Sequence, residues 1–228
     1  MTISKCMVVP YFGQYPEWFD LWMRNTERMR EHGYDFLFDT DEQDFQKRVW
    51  RTLGIECPPM TGTSNIWDFR PALGVLYEEE IADFSYWGHT DFDVVYGRVE
   101  EWVTDDFLSP PEGDDVNIHS NHRDYICGFW SLYSNEPFVN NLFRRSPDWQ
   151  RYMETDGGSG WAETEFTRVV DEAHAAGEIN RVYTHWQTQD LNNYDRIHWD
   201  GDRLMEGDTE VFTAHFRRTK QYPIGAIR

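Results

Sequence analysis

A mixed α/β fold is predicted for this 228-residue chain: a mostly parallel sheet flanked by helices, with a small antiparallel addition near the C-terminus. Three features predict it. The first forty residues alternate strand, helix, strand, which implies a parallel sheet with ligands at the carboxyl ends of its strands. The apolar run Phe84-Ser85-Tyr86-Trp87 opens a third strand that leads directly into Asp91 and Asp93. The first half is helix-rich, whereas the late segments are short and strand-like. The length suffices for a substantial core, and one domain over residues 1–228 is expected.

Taken in order, residues 4–11 form a buried strand, and Pro16 opens a helix over residues 17–31 with Trp18, Phe19, Trp22, Met23 and Met29 at helical spacing. Gly33 ends that helix, and residues 34–38 are a second strand ending in Asp39-Thr40-Asp41. A helix over residues 68–80 follows the Thr61-Gly62-Thr63-Ser64 loop, and residues 85–90 are the third strand. Residues 99–107 read as a short helix, 114–118 and 127–133 as strands, and 136–145 and 161–176 as helices. In the last of these Phe166, Val169, Val170 and Ala173 share one face. Residues 182–185, 195–199 and 211–216 are short late strands.

The net charge of −20 argues against a broad surface for nucleic acid or anionic membrane. A diphosphate ligand must then be met by focused cations or a metal ion. Cys6, Cys57 and Cys127 are too dispersed for a disulfide framework or a zinc site. A reducing, cytoplasmic setting is expected. No membrane span is expected, because the apolar run from Cys6 to Val9 is short. Aromatic residues make up 17% of the chain, and beyond supplying core they are suited to line sugar or base pockets.

The central chemical signal is His89-Thr90-Asp91-Phe92-Asp93. Residues two apart on an extended segment face the same way, so both carboxylates can hold Mg²⁺ or Mn²⁺, with a diphosphate completing the shell. Asp39 and Asp41 form a second acidic pair, suited either to a nucleoside or to capping a helix. Arg70 can grip phosphate through its planar fork, or pair with Asp68 or another acid as scaffolding. His215 offers a nitrogen ligand for Mn²⁺, and Arg217-Arg218-Thr219-Lys220 can hold a diphosphate or solubilise a tail. Glu163 and Glu165 follow the glycine-rich stretch Asp156-Gly157-Gly158-Ser159-Gly160. A mobile lid with Trp161 beside the ligand and an acceptor base fits that pattern, as does a plain helix start.

The blocks Trp67-Asp68-Phe69-Arg70-Pro71-Ala72-Leu73-Gly74 and Trp87-Gly88-His89-Thr90-Asp91-Phe92-Asp93-Val94-Val95-Tyr96-Gly97, with Pro10-Tyr11-Phe12-Gly13 and Thr40-Asp41 before them, resemble a bacterial and phage-associated family related to GT-A glycosyltransferases. Leu132-Tyr133-Ser134-Asn135 resembles a later block of that family. The resemblance implies a GT-A fold, a nucleotide-sugar donor, and a divalent metal, Mn²⁺ or Mg²⁺, at Asp91 and Asp93, with His215 the match for a C-terminal metal histidine; UDP is the nucleotide expected. Donor contacts are expected at Tyr11, Phe12, Asp39, Asp41, Asp68, Arg70 and Asp91. Asn65 stands where a basic residue is expected. Glu163 or Glu165 is the expected catalytic base. The acceptor is expected to be a carbohydrate or lipid hydroxyl. The alternatives are a hydroxylated base of phage DNA, reached through Arg144-Arg145 and Arg217-Arg218, and a non-catalytic sugar-binding protein of degenerate transferase fold.

Overall fold

The computed structural model describes residues 2–16, 19–60, 66–155, 159–189 and 196–215. Its first strand, β1 (Lys5–Pro10), alternates between two cores: Cys6 and Val8 join one apolar cluster, Met7 and Val9 the other. That period of two is what a strand covered on both faces requires. Helix α1 (Phe19–Glu31) buries Trp22 and Met29 on one side of the sheet. Strand β2 (Tyr34–Asp39) then pairs in parallel with β1.

The Asp39-Thr40-Asp41 stretch leads into helix α2 (Glu42–Leu53), where Asp41 caps by accepting from Asp44 N at 3.0 Å. Phe45, Val49 and Leu53 seat α2 on the opposite face of the sheet from α1.

The expected helix over residues 68–80 is corrected to a 3-10 segment, Ile66–Ala72, and one α-turn, α3 (Leu73–Leu76). Pro71 supplies no N–H and disfavours the α conformation in the residue before it. Gly74 is required for a different reason, since a Cβ there would stand 2.5 Å from the Trp87 ring.

Strand β3 (Tyr86–Thr90) is fully buried beside β1, and β4 (Val94–Tyr96) follows it after one turn. The expected helix over residues 99–107 divides into α4 (Val99–Trp102) and α5 (Asp105–Leu108), the second capped by Thr104. The strands expected over 114–118 and 127–133 are displaced to β5 (Ile118–Ser120) and β6 (Trp130–Ser134). Cys127 and Gly128 give their N–H groups to the Ser120 and Glu163 side chains, so β6 begins after them.

Residues 136–145 hold α6 (Pro137–Asn140) and a 3-10 turn, Leu142–Arg145. After α7 (Trp149–Glu154), helix α8 (Glu165–Ala175) buries Phe166, Val169, Val170 and Ala173 as one face. Strand β7 (Arg181–Tyr183) completes a six-stranded sheet in the order β2-β1-β3-β6-β5-β7, in which β6 alone runs against the others.

The C-terminal addition has two parts. Strands β9 (Ile197–Asp200), β10 (Arg203–Glu206) and β11 (Thr209–Glu210) form an antiparallel sheet. Strand β12 (Thr213–His215) lies between β4, antiparallel, and β8 (Gln187–Gln189), parallel. Phe216, Trp18, Asp195 and the 61–64 loop fall outside the described residues. Among the described residues no helix is long and apolar enough to cross a membrane.

Candidate functional site

The site is built on the turn between β3 and β4. Phe92 points into an aromatic nest of Tyr11, Phe19, Trp22 and Phe38, with ring centroids 4.8, 5.4, 4.7 and 6.4 Å away. Anchoring the middle residue leaves Asp91 and Asp93 half-buried on the outer side. The turn is pinned below by Thr90, whose hydroxyl bonds the Tyr96 hydroxyl and donates to Phe129 O at 2.9 Å. Tyr96 is itself gripped by Asn25 of α1, which accepts from Tyr96 N and donates to Tyr96 O at 2.8 and 3.0 Å.

The third member arrives on β12. Its pairing with β4 sets His215 opposite Val94, beside Asp93, and His215 Nε2 lies 3.3 Å from Asp93 Oδ1. The Phe129 ring backs the imidazole at 4.5 Å. Ligand atoms of Asp91, Asp93 and His215 all fall within 4.8 Å of one another. Two carboxylates and an imidazole suit Mn²⁺, and with water or phosphate oxygens Mg²⁺. The electrostatics agree with that fit. Burial pushes the Asp91 carboxyl up; Arg70 opposes the push and neighbouring Asp93 adds to it. Burial also works against charge on Asp93, but the hydrogen bond and charge of His215 outweigh it and hold that carboxyl low. A cation between the two would relieve their mutual repulsion.

Arg70 pairs with Asp91, not with Asp68. Its guanidinium fills the space over Gly128, where a Cβ would stand 1.9 Å from Nη1. Gly128 N donates to Glu163 Oε1 at 2.9 Å, so Arg70, Gly128 and Glu163 form one cluster against the carboxylates. Glu165 is not brought there; it pairs with Arg168 at 2.6 Å and accepts from Ser146 at 3.4 Å.

Asp68 is 1% exposed and accepts from Ser159 N beneath the chain at 159–161. Trp161, expected beside the ligand, is instead core: it is 1% exposed, stacks on Tyr152 at 5.7 Å and donates to Asp68 O at 2.9 Å. An indole is too large an apolar surface to leave out when a core site is at hand. Asp156, Gly157 and Gly158, together with Asn65 and Arg217-Arg218-Thr219-Lys220, lie outside the described residues.

At the end of β1, Tyr11 stacks on Tyr15 at 5.7 Å, while Phe12 packs on Phe45 of α2 at 5.2 Å. Asp39 accepts from the Tyr77 hydroxyl at 2.6 Å and from Asp41 N at 3.0 Å. His89, just below the carboxylates on β3, is buried and held neutral, with a pKa pushed down to about 3 by burial and then by Arg70. Its Nε2 donates to Cys127 O at 3.1 Å, so that nitrogen is occupied by the backbone.

Residues that sequence reasoning did not single out complete the support. Asn121, fully buried, donates to the Thr213 hydroxyl at 3.2 Å and accepts from Trp186 N at 3.0 Å and the Thr184 hydroxyl at 3.2 Å. It thereby ties β12 to the main sheet. Gly128 does carry a signal in the sequence: a lone glycine inside a strand-like run marks close backbone approach.

This α/β arrangement is similar over nearly its whole length to solved structures of glycosyltransferases. One is a crystal structure of a glycosyltransferase involved in the glycosylation of the major capsid of PBCV-1, with TM-score 0.53, 11% identity, 95% of this chain and 94% of that one covered. Another is mouse xyloside xylosyltransferase 1 in its apo form, with TM-score 0.45, 11% identity, and coverage of 96% and 87%. The first likeness defines the class: a glycosyltransferase-like fold. In sequence, residues 43–221 match the family of unknown function DUF6625, and the chain belongs to that family. No curated protein matches it in sequence.

Proposed function

We propose that the chain transfers a sugar from a nucleotide-sugar donor, UDP being the expected nucleotide, to a hydroxyl acceptor in a metal-dependent reaction. The observation that carries the reading is the meeting of Asp91, Asp93 and His215 on the β3–β4 turn of a glycosyltransferase-like fold. Those three would hold Mn²⁺ or Mg²⁺, which neutralises charge on the departing diphosphate.

The chain's own residues then divide the remaining work. Tyr11 and Phe12, with Asp39 and Asp41, border the end of β1 and β2 where the nucleoside is placed. Asp39 keeps its geometry through Tyr77, and Asp41 through the α2 cap. Asp68 supports the donor side from beneath by holding the chain at 159–161. Arg70 holds Asp91, and its remaining N–H groups would serve the diphosphate. Glu163 takes the proton of the acceptor hydroxyl as that oxygen bonds to the anomeric carbon and the sugar–phosphate bond breaks. It is preferred over Glu165 because Arg168 already occupies the latter.

A DNA acceptor is disfavoured by the −20 net charge and by Arg145, which is engaged by Glu178. Thermal shift with UDP-, GDP- and dTDP-sugars, with and without Mn²⁺, tests the reading beside an assay of donor breakdown. A sugar nucleotide that stabilises the protein and is consumed only with the metal supports it. No metal-dependent stabilisation and no breakdown across the panel would overturn it.

A further inference from the structure

The 3-10 segment Ile66–Ala72 inverts the usual distribution of polarity. Its aspartate and arginine are inside, at 1% and 8% exposure, with Ile66, Phe69, Pro71 and Ala72 also buried. The largest apolar side chain, Trp67, is the one left outside at 43%. Apart from Trp50 at 59%, every other tryptophan among the described residues is buried or half-buried. Trp50 lies on the outer shelf of α2 with Gln43, Gln46, Lys47 and Arg51. Trp67 lies next to chemistry: the Arg70 guanidinium sits 5.9 Å from its ring centroid, and Arg70 is paired with Asp91.

We propose that Trp67 is the stacking platform of a carbohydrate acceptor, so that the acceptor of this chain is a neutral glycan. The inference rests on the transferase reading above and adds the acceptor class to it. Two aromatic surfaces flank the carboxylate turn by different routes. Tyr11 and Tyr15 reach it through Phe92, at 4.8 and 6.4 Å, and belong with the nucleoside at the end of β1. Trp67 reaches it through Arg70, whose guanidinium also covers Gly128 beside Glu163. A sugar resting on Trp67 is therefore on the side of the proposed base.

The chemistry of the surface selects among acceptors. An indole offers a broad flat face, electron-rich above the ring, that complements the C–H face of a pyranose. A lipid would require a continuous apolar patch, and the neighbours of Trp67 in its segment are all turned inward. A nucleic acid would bring phosphates to a chain of net charge −20, against their mutual repulsion.

The test reads binding and transfer separately on the full chain. Indole N–H signals of ¹⁵N-labelled protein, with Trp67 assigned through Trp67→Phe and Trp50 through Trp50→Phe, are followed during titration. The probes are neutral oligosaccharides of glucose, galactose and N-acetylglucosamine, phosphatidylcholine vesicles, and duplex DNA containing hydroxymethylcytosine. The expected result is that an oligosaccharide moves the Trp67 signal and not that of Trp50. In Trp67→Ala the ratio of transfer to that glycan over donor breakdown by water falls about tenfold or more, whereas Trp50→Ala leaves the ratio unchanged. If donor is consumed but no oligosaccharide moves Trp67, or if vesicles or DNA move it instead, the acceptor proposal is overturned and the transferase reading stands. If no donor is consumed at all, both fall.

Discussion

Asn121 donates a 3.2 Å hydrogen bond to the Thr213 hydroxyl, joining the end of β5 to the strand that carries His215 two residues later. Both residues have no exposed surface. Asn121→Ala deletes that donor and the acceptor used by Trp186 N, at a cost of about 1–3 kcal/mol for the groups left unpaired. The expected outcome is a lower urea midpoint together with a smaller Mn²⁺-induced rise in melting temperature. A variant that loses stability but keeps the full metal-induced rise would show that Asn121 serves the fold without aiming His215.

Gly128→Ala places a methyl group where Arg70 Nη1 now stands. Forcing an atom into a filled site costs roughly 1–3 kcal/mol. The cost should shrink, though not vanish, when Arg70 is also replaced by Ala, because the nearer obstruction is then gone and Glu163 Oε1 remains 2.9 Å from the added methyl. Chemical denaturation of the two single variants and the double variant measures this coupling. Additive losses would mean that the close approach of Arg70 to Gly128 is not what excludes a side chain there.

Asp93→Asn keeps the shape and can still accept from His215, so the fold should persist while the anionic ligand is lost. Metal-dependent donor binding is expected to fall by more than the roughly 10–100-fold typical of losing an outer-shell partner of a metal. Mn²⁺ titration by calorimetry, with circular dichroism as the fold control, decides it. Normal donor turnover by the variant would remove Asp93 from the metal assignment.

His119 is fully buried, bonded to the Thr184 hydroxyl at 3.0 Å, and has its pKa pushed down to about 3 by burial. In the unfolded chain it titrates near ~6.5. Between these values the unfolded chain binds a proton that the folded one refuses. The contribution to stability is therefore full above about pH 6.5 and is lost progressively as the pH falls below it. Urea denaturation from pH 7 to 4.5 should show a shallower pH dependence in His119→Gln than in the parent, by up to about 1.4 kcal/mol per pH unit. Equal slopes would mean that the imidazole is charged in the folded protein.

Glu163→Gln should lower glycan transfer by about 10²–10⁴-fold, the usual size of general-base assistance. Glu165→Gln should affect mainly its solvent-screened surface pairing with Arg168 and leave transfer close to the parent rate. Turnover of both variants, read against donor affinity, separates the two glutamates. A reversed ranking would move the base to Glu165.

What the sequence disclosed and what it withheld follow from the range of the interactions. The β3 strand was legible because an apolar run ending in acids is a local pattern, and so was the apolar face of α8. Helix α2 was visible only as the capping option at Asp41, and β4 was not anticipated, since three residues carry too little periodicity. Strand β9 was anticipated over residues 195–199, but its hairpin partner β10 was missed despite Asp200-Gly201-Asp202, a recognisable turn signal. Arg70 was left open between a phosphate and an acid such as Asp68, and Asp91 could not be named as its partner, because the two stand 21 residues apart and meet, beside Gly128, only in the folded sheet. Trp161 misled because glycines beside an aromatic look the same whether the ring faces a ligand or the core.

The contact of His215 with Asp93 also bears on how the molecule comes together. Asp91 and Asp93 are neighbours along the chain and are aligned as soon as β3 and its turn form. His215 must travel from β12, across everything between residues 93 and 215, before it joins them. Closing so long a loop adds little to the equilibrium cost but delays the contact, since distant pairings form slowly. A chain that has built its central sheet without seating β12 therefore owns the two carboxylates and lacks the imidazole, so the trio is assembled only in a molecule whose last strand is home.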